Sequence, residues 1–403
     1  MGIISSLKSH TQVVASFDPM SHELVRSISG SASTSGRIVN DNAVLGISAA
    51  WACRRILSES IGMLPRSMYL REDNRNSHQA SDHWLDEILT RRPNADQTAV
   101  EFWENLTLNL TGEGNAYSFI ERIGDRISSL TPLAPHSVTP IRKKDRNTKL
   151  TIAEKEAFFR MDMGNGVTED FPREKVWQVK GFGHDPLKGL SPIGAAKEAM
   201  GGALAQEEFA NRFFGQGALP SAVVSFPGWL TQDQKKQAEE AAQKMAGLGQ
   251  AHKVAMFQGG MKPEPWSTMN LEEMQFIVAR RFSVLEICRF YRVPPHMVAE
   301  LEKGASFASI EMMSQEFVMF TLMPYFTRFE ASVSRWLLPA AERAKYFLRF
   351  NFEGLLRATS KERGELESLW VQNGILNRNE VRAKENLNRS DQPGMDDYTV
   401  QLN

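Results

Sequence analysis

Residues 270–330 read NLEEMQFIVARRFSVLEICRFYRVPPHMVAELEKGASFASIEMMSQEFVMFTLMPYFTRFE: an amphipathic stretch, an abrupt stop, a short polar link and a second, greasier stretch. Asn270 is a favourable N-cap with Glu273 three residues on. Met274, Ile277, Val278, Leu285 and Cys288 recur at helical spacing, which predicts a helix to about Arg292. Val293-Pro294-Pro295 ends it, because proline has no amide donor and disfavours helical geometry in the residue before it. A second helix is expected from about Ser309. From Phe317 to Phe326 it is apolar nearly all round, the mark of burial on several sides. That uncharged run is too short to span a membrane, which takes about 20 apolar residues. Pro324 predicts a kink rather than an end, since apolar spacing resumes at Phe326, Phe329, Val333 and Trp336. Between the helices, Glu302-Lys303-Gly304-Ala305-Ser306 is small and polar, as an exposed loop tip is.

The whole chain has 403 residues and 42% hydrophobic content, enough for a substantial core and for roughly two or three domains. With 47 basic and 48 acidic side chains the net charge is -1, so nothing calls for a nucleic-acid clamp held by bulk charge. Cys53 and Cys288 each sit in an apolar helical context, which suits burial in a reducing compartment better than a disulfide or a metal. The N-terminus carries no secretory pattern, so none is expected to be read there.

Residues 1–40 are rich in Ser and Gly and are expected to form a flexible arm. Val44, Ile47, Trp51, Ile56 and Leu57 announce the first firm helix, and helices are also predicted over 84–90 and 98–110. From Gly112 to Gly183 short alternating runs punctuated by Gly, Pro and Asp predict antiparallel strands. Pro192 opens a small-sided helix whose Gly201-Gly202 pair costs about 1 kcal/mol per glycine against alanine; close approach of a neighbouring helix would account for it, either within the chain or at a seam between subunits. Residues 218–268 read as a strand-helix-strand module carried on two helices, with a capping box at Thr231 and a strand over 253–258. One more strand, a C-terminal helical segment divided at Gly374, and a loose tail complete an α+β chain.

No P-loop, nucleophile elbow, H-E-x-x-H or C-x-x-C pattern is present, and the histidines are dispersed; no catalytic residue, cofactor or metal is expected. Arg281, Arg289 and Arg292 fall within an arc of about 80° on the first helix. That arc can face DNA, or it can pair with Glu286 or with acids of a neighbouring element.

The series Gly114-Asn115-Ala116-Tyr117, Gly189-Leu190-Ser191-Pro192, Val293-Pro294-Pro295, Ser306-Phe307-Ala308-Ser309 to Glu316-Phe317, Met323-Pro324 with Arg328 and Glu330, and Asn379-Glu380-Val381-Arg382 resembles the portal proteins of tailed bacteriophages, the HK97-like family. The likeness spans residues 40–395 and departs at Ser309, where many members carry Asn. It implies a portal-type α+β subunit: an N-terminal arm to residue 40, wing over 41–190, stem helix over 191–217, small α/β clip over 218–269, second stem helix over 270–292, tunnel loop over 293–308, kinked wing helix and strand over 309–353, and a helical crown and tail over 354–403. It further implies a dodecameric ring at one capsid vertex of the virion, put together in the host cytoplasm. Double-stranded DNA would pass through it during packaging and ejection. The implied partners are further copies of the chain, the terminase large subunit at the clip, the major capsid protein and a head-tail adaptor, with no membrane. Glu302, Lys303, Gly304, Ala305 and Ser306 would face the channel, with Arg281, Arg289 and Arg292 on the stem. Two other classes stand beside this reading: a cytosolic enzyme using dispersed groups such as Glu113, His136 and Asp185, and a monomeric adaptor.

Overall fold

The computed structural model describes residues 31–72, 76–142, 157–164, 166–215, 222–225, 231–232, 236, 262–265, 276–300, 307–352, 360–385 and 387–398. It opens with a hairpin of β1 (Ser31–Ala32) and β2 (Ile38–Val39), followed by α1 (Asp41–Leu45) and α2 (Ser48–Gly62). Ala50, Cys53, Leu57 and Ile61 are the buried stripe of α2, at the spacing that a one-sided helix requires. After β3 (Arg66–Arg71), β4 (Ser77–Gln79) and α3 (Trp84–Thr90) comes α4 (Ala99–Glu113). The latter begins in a capping box of Thr98 and Glu101 and ends at Gly114, where φ is +70°.

The predicted antiparallel strands are present. β5 (Asn115–Ile123) and β6 (Arg126–Leu133) form a hairpin, and β10 (Val176–Lys180) adds to the other edge of β5. β7 (Val138–Arg142), β8 (Ala157–Asp162) and β9 (Thr168–Pro172) form a second sheet, which closes a small core of Tyr117, Val138, Phe159, Met161, Phe171 and Val176. The chain continues through α5 (Pro192–Ala195) and α6 (Lys197–Gly215), the paired strands β11 (Ala222–Ser225) and β12 (Lys262–Pro265), and α7 (Phe276–Tyr291). It ends with α8 (Phe307–Glu316), α9 (Met323–Trp336), β13 (Tyr346–Phe350), α10 (Ser360–Gln372) and α11 (Arg378–Lys384). The strand expected over 253–258 lies outside the described residues. β12 falls on the proline-bearing stretch after it, where a two-stranded ladder tolerates residues lacking an amide donor.

Trp103 of α4 is the hub of the main core. Phe329 of α9, Phe350 of β13 and Trp177 of β10 meet it edge-on at centroid distances of 5.0, 5.2 and 6.1 Å. The Arg66 guanidinium lies 5.3 Å from the Trp103 ring centroid. Because β13 pairs antiparallel with β3, putting Phe350 opposite Arg66, the core is assembled from both ends of the sequence.

A second fixed point joins this core to α5 and α6. Gly114, Gly181 and Gly189 converge so closely that a β-carbon on Gly114 would strike the Leu190 carbonyl, and one on Gly189 the Gly114 carbonyl. Buried Asn115 holds the Gly189 peptide on both sides: its Oδ1 accepts the Gly189 amide at 2.9 Å, and its Nδ2 donates to the Gly189 carbonyl at 3.1 Å. Gln178 Nε2 donates to the same Asn115 oxygen at 3.1 Å and to the Leu187 carbonyl at 2.7 Å. Ser191 caps α5 through the Gly194 amide and donates to the Gly112 carbonyl at 3.0 Å.

Two expectations need correction. The arm to residue 40 is structured over its last part, because the β1–β2 hairpin seats on α6. The Thr34 amide donates to the Glu198 carboxylate at 2.9 Å, and Arg37 pairs with Glu208. The tail is likewise held: Asn379 bonds the Ser390 backbone and Asp396, Arg389 pairs with Asp396, and the Tyr398 hydroxyl donates to Glu380.

The hairpin also accounts for half of the glycine pair, and the approaching element is not a helix. A β-carbon on Gly201 would overlap the Ser33 side chain, whereas one on Gly202 meets nothing within 4 Å. Gly201→Ala is therefore expected to cost about 1–3 kcal/mol by forcing the hairpin off α6. Gly202→Ala should stabilise by about 0.5–1 kcal/mol through helix propensity alone. Urea unfolding of the two variants checks the contrast.

Candidate functional site

The candidate site is the connector that leaves α7 and leads toward residues 301–306. α7 packs on α6, where Ser283 Oγ donates to Gln206 Oε1 at 3.0 Å. It also packs on α2, where Ile287 and Cys288 enter the main core. Its end is a Schellman cap: the Val293 amide reaches back to the Cys288 carbonyl at 3.0 Å, and the Arg292 amide to the Arg289 carbonyl at 3.2 Å. The left-handed residue that this cap needs is Arg292, at φ +57°, rather than glycine.

Pro294 and Pro295 then start a single 3-10 turn, Pro295–Val298, which closes in a second cap of the same kind with Ala299 at φ +63° and the Glu300 amide on the Pro295 carbonyl at 3.0 Å. Arg292 and Ala299 are the two non-glycine residues with positive φ among the described residues, and they bracket one short connector. Such conformations cost roughly 1–2 kcal/mol each and persist where neighbours over-determine them. The neighbours here are identifiable. Thr321 Oγ1 donates to the Arg292 carbonyl at 2.7 Å, and Glu300 pairs with Arg281 on α7.

Thr321 belongs to a π-helical stretch, Phe317–Leu322, between α8 and α9. The interruption expected at Pro324 takes this form: a widened turn accommodates the missing amide and the bulk of the ring, and α9 resumes at Met323. The wider turn buries Phe317, Val318, Thr321 and Leu322 while Met319 and Phe320 stand exposed.

The three arginines have separate surroundings. Arg281 pairs with Glu300, the Arg289 guanidinium lies 5.6 Å from the Phe282 ring centroid, and Arg292 forms the cap. Glu302, Lys303, Gly304, Ala305 and Ser306 lie outside the described residues. Sequence reading missed Thr321, Glu300 and Ala299. A glycine at 292 or 299 would have signalled the caps, and neither position has one.

Of the dispersed polar groups, Glu113 and His136 do come together, lining a cleft of about 270 Å³ with Asp41, Asn40, Asn42, Asn105 and Asn109. Burial and then the Asp41 charge raise the Glu113 pKa, burial lowers that of His136, and Asp41 is held by buried Arg54 at 2.7 Å. Asp185 is elsewhere, in a turn, its pKa lowered by the Leu187 amide donating to its carboxylate at 2.7 Å. The described lining of the cleft holds no Ser, Thr, Cys or Lys; its titratable groups are Asp41, Glu113 and His136. Among the described residues no group of three or more His, Cys, Asp or Glu could hold a metal ion, and no helix is long and apolar enough to cross a membrane.

The left-handed arginine yields a direct expectation: Arg292→Gly should raise stability by about 1 kcal/mol by removing the β-carbon strain. Thermal unfolding of the variant measures it, and a fall in stability would mean that the Arg292 side chain contributes more than the strain costs.

The chain has clear relatives. The family described as phage portal protein matches residues 48–386. The portal protein of Enterobacteria phage HK97 is 31% identical over 354 residues, covering 87% of this chain and 80% of the relative. The probable portal protein of Streptomyces phage phiC31 is 31% identical over 401 residues, covering 96% and 83%. Among solved structures, a chain in the neck of a native gene transfer agent particle, computed with C12 symmetry, superposes with a TM-score of 0.55 at 19% identity, covering 86% of this chain and 92% of that one. With this match over most of its length, and with the glycine junction and the α7 connector formed by the very motifs that suggested it, the chain belongs to the phage portal protein family.

Proposed function

We propose that copies of this chain close into a ring, a dodecamer in the virion, through which double-stranded DNA enters and leaves the capsid. The observation that carries the reading is the pair α6 and α7. They pack on one another where they join the core, and the chain between them returns on itself through the antiparallel β11–β12 pair. A stalk of two helices bearing a small module is the expected anatomy of a stem with its clip. The C12 symmetry of the gene transfer agent neck supports the subunit number.

In this reading residues 41–190 with 309–353 are the wing, 191–217 and 270–292 the stem, 218–269 the clip and 354–403 the crown. The tunnel loop over 293–308 carries Glu302, Lys303, Gly304, Ala305 and Ser306 toward the DNA. Exposed Phe282, Phe290, Met312, Met319 and Phe320, on α7, α8 and the π-helical stretch, would then find cover against neighbouring copies. The balanced charge suits a conduit, because each Lys or Arg neutralising a phosphate would add salt-dependent grip and oppose sliding. No ATP-binding pattern is present in the sequence, so hydrolysis falls to the terminase large subunit, docking at the clip; the major capsid protein and a head-tail adaptor complete the vertex.

Single-particle electron microscopy with parallel mass measurement tests the ring. Annular particles with a central hole are expected, and a uniform monomer that persists when capsid protein is coexpressed would overturn the reading. For the loop, Lys303→Glu should leave ring assembly intact and reduce packaging or retention of DNA; unchanged packaging together with unchanged retention would remove Lys303 from the DNA path.

A further inference from the structure

We propose that Cys53 and Cys288 form a redox latch that ties α7, at the base of its connector, covalently to α2. They are the two cysteines of the chain, they lie 235 positions apart, and their sulfurs meet at 4.0 Å across the α2–α7 contact. Both are buried, at 0% and 2% exposure. Closing a bond requires the sulfurs to approach from this contact distance to about 2.05 Å. A structural metal would demand about four N or S ligands, and the described surroundings do not supply them.

The position matters more than the proximity. Cys288 supplies the carbonyl that accepts the Val293 amide in the Schellman cap, so a bond at its sulfur would immobilise the residue from which the connector departs. The two thiols are also unequal. The contact with Cys53 lowers the Cys288 pKa, while that same contact and burial raise the Cys53 pKa.

The chemistry is thiol–disulfide exchange with a small-molecule disulfide as oxidant. The Cys288 thiolate attacks one sulfur of the small disulfide, forming a mixed disulfide and releasing one small thiol, which takes the Cys288 proton. Cys53 then gives up its proton and attacks Cys288 Sγ, closing the protein disulfide and releasing the second small thiol. Two protein thiols are oxidised and one small disulfide is reduced to two thiols. Because both sulfurs are buried, the first attack waits on local opening of the last turns of α7. The setting rests on the portal reading: a virion protein is assembled in a reducing cytoplasm, where the latch stays open, and is then released into oxidising medium, where it closes.

The test uses the purified full-length chain, reduced and then incubated with oxidised glutathione. Expected are loss of both titratable thiols, a Cys53–Cys288 linked peptide in non-reducing mass spectrometric mapping, and a rise of about 5 °C in the unfolding midpoint that a dithiol reductant reverses. Cys288→Ser and Cys53→Ser should show neither the peptide nor the rise. Thiols that stay titratable under conditions that oxidise an exposed dithiol control, a link formed only between chains, or one formed only in denaturant would each overturn the latch. The mapping does not depend on ring formation, so a linked chain that never forms rings would sustain the latch and remove only its proposed setting.

Discussion

The contact on which the architecture turns is the one between Gly114-Asn115 and Gly189. Three glycines let two backbone segments approach closer than any side chain allows, and the Asn115 amide then treats the Gly189 peptide as a neighbouring strand would. Buried peptide groups left without partners cost about 1–3 kcal/mol each, so this junction is costly to open. It also aims the chain. Ser191 is hydrogen-bonded to the Gly112 carbonyl and caps α5, so the helices that leave the core start from a point fixed in the middle of the fold.

The return path is fixed separately. α7 re-enters against α2 and α6, and the connector after it is held at both ends by caps built on non-glycine residues. Thr321 on the π-helical stretch and Arg281 on α7 supply the bonds that keep those caps in place. A segment determined in this way has a defined exit direction although its backbone is strained. The irregular turn before Pro324 thereby contributes directly to the geometry of the candidate site.

Much of this was readable from residue order. α2, α3, α4, α7 and α9 show periodicity because each buries one face, and the strands of the α+β half alternate for the same reason. The glycine and Asn115 motifs could be recognised by family likeness, but their purpose needed the contact of residues 74 positions apart. Composition misled at both ends. Ser- and Gly-rich residues 31–39 dock on α6 through a few polar contacts and one missing β-carbon, and the tail folds back on Asn379; neither leaves a hydrophobic pattern. Arg292 gave no warning of its left-handed backbone, since the Schellman bonds that impose it are a property of the chain on both sides. Glu113 and His136 become neighbours only through the packing of α4 near the 3-10 turn Pro135–Ser137, which no local spacing encodes.

The pairing of β13 with β3 has a consequence for synthesis. Arg66 emerges from the ribosome long before Phe350, its partner in the sheet and its neighbour beneath Trp103. At elongation rates of about 5–20 residues per second the nascent chain therefore carries the open edge of β3 and an uncovered Trp103 for on the order of ten seconds or more. An unpaired strand edge beside an exposed aromatic is a site for wrong pairing with another nascent chain. The subunit completes its core only when its last third is made, and until then that edge is open to mispairing.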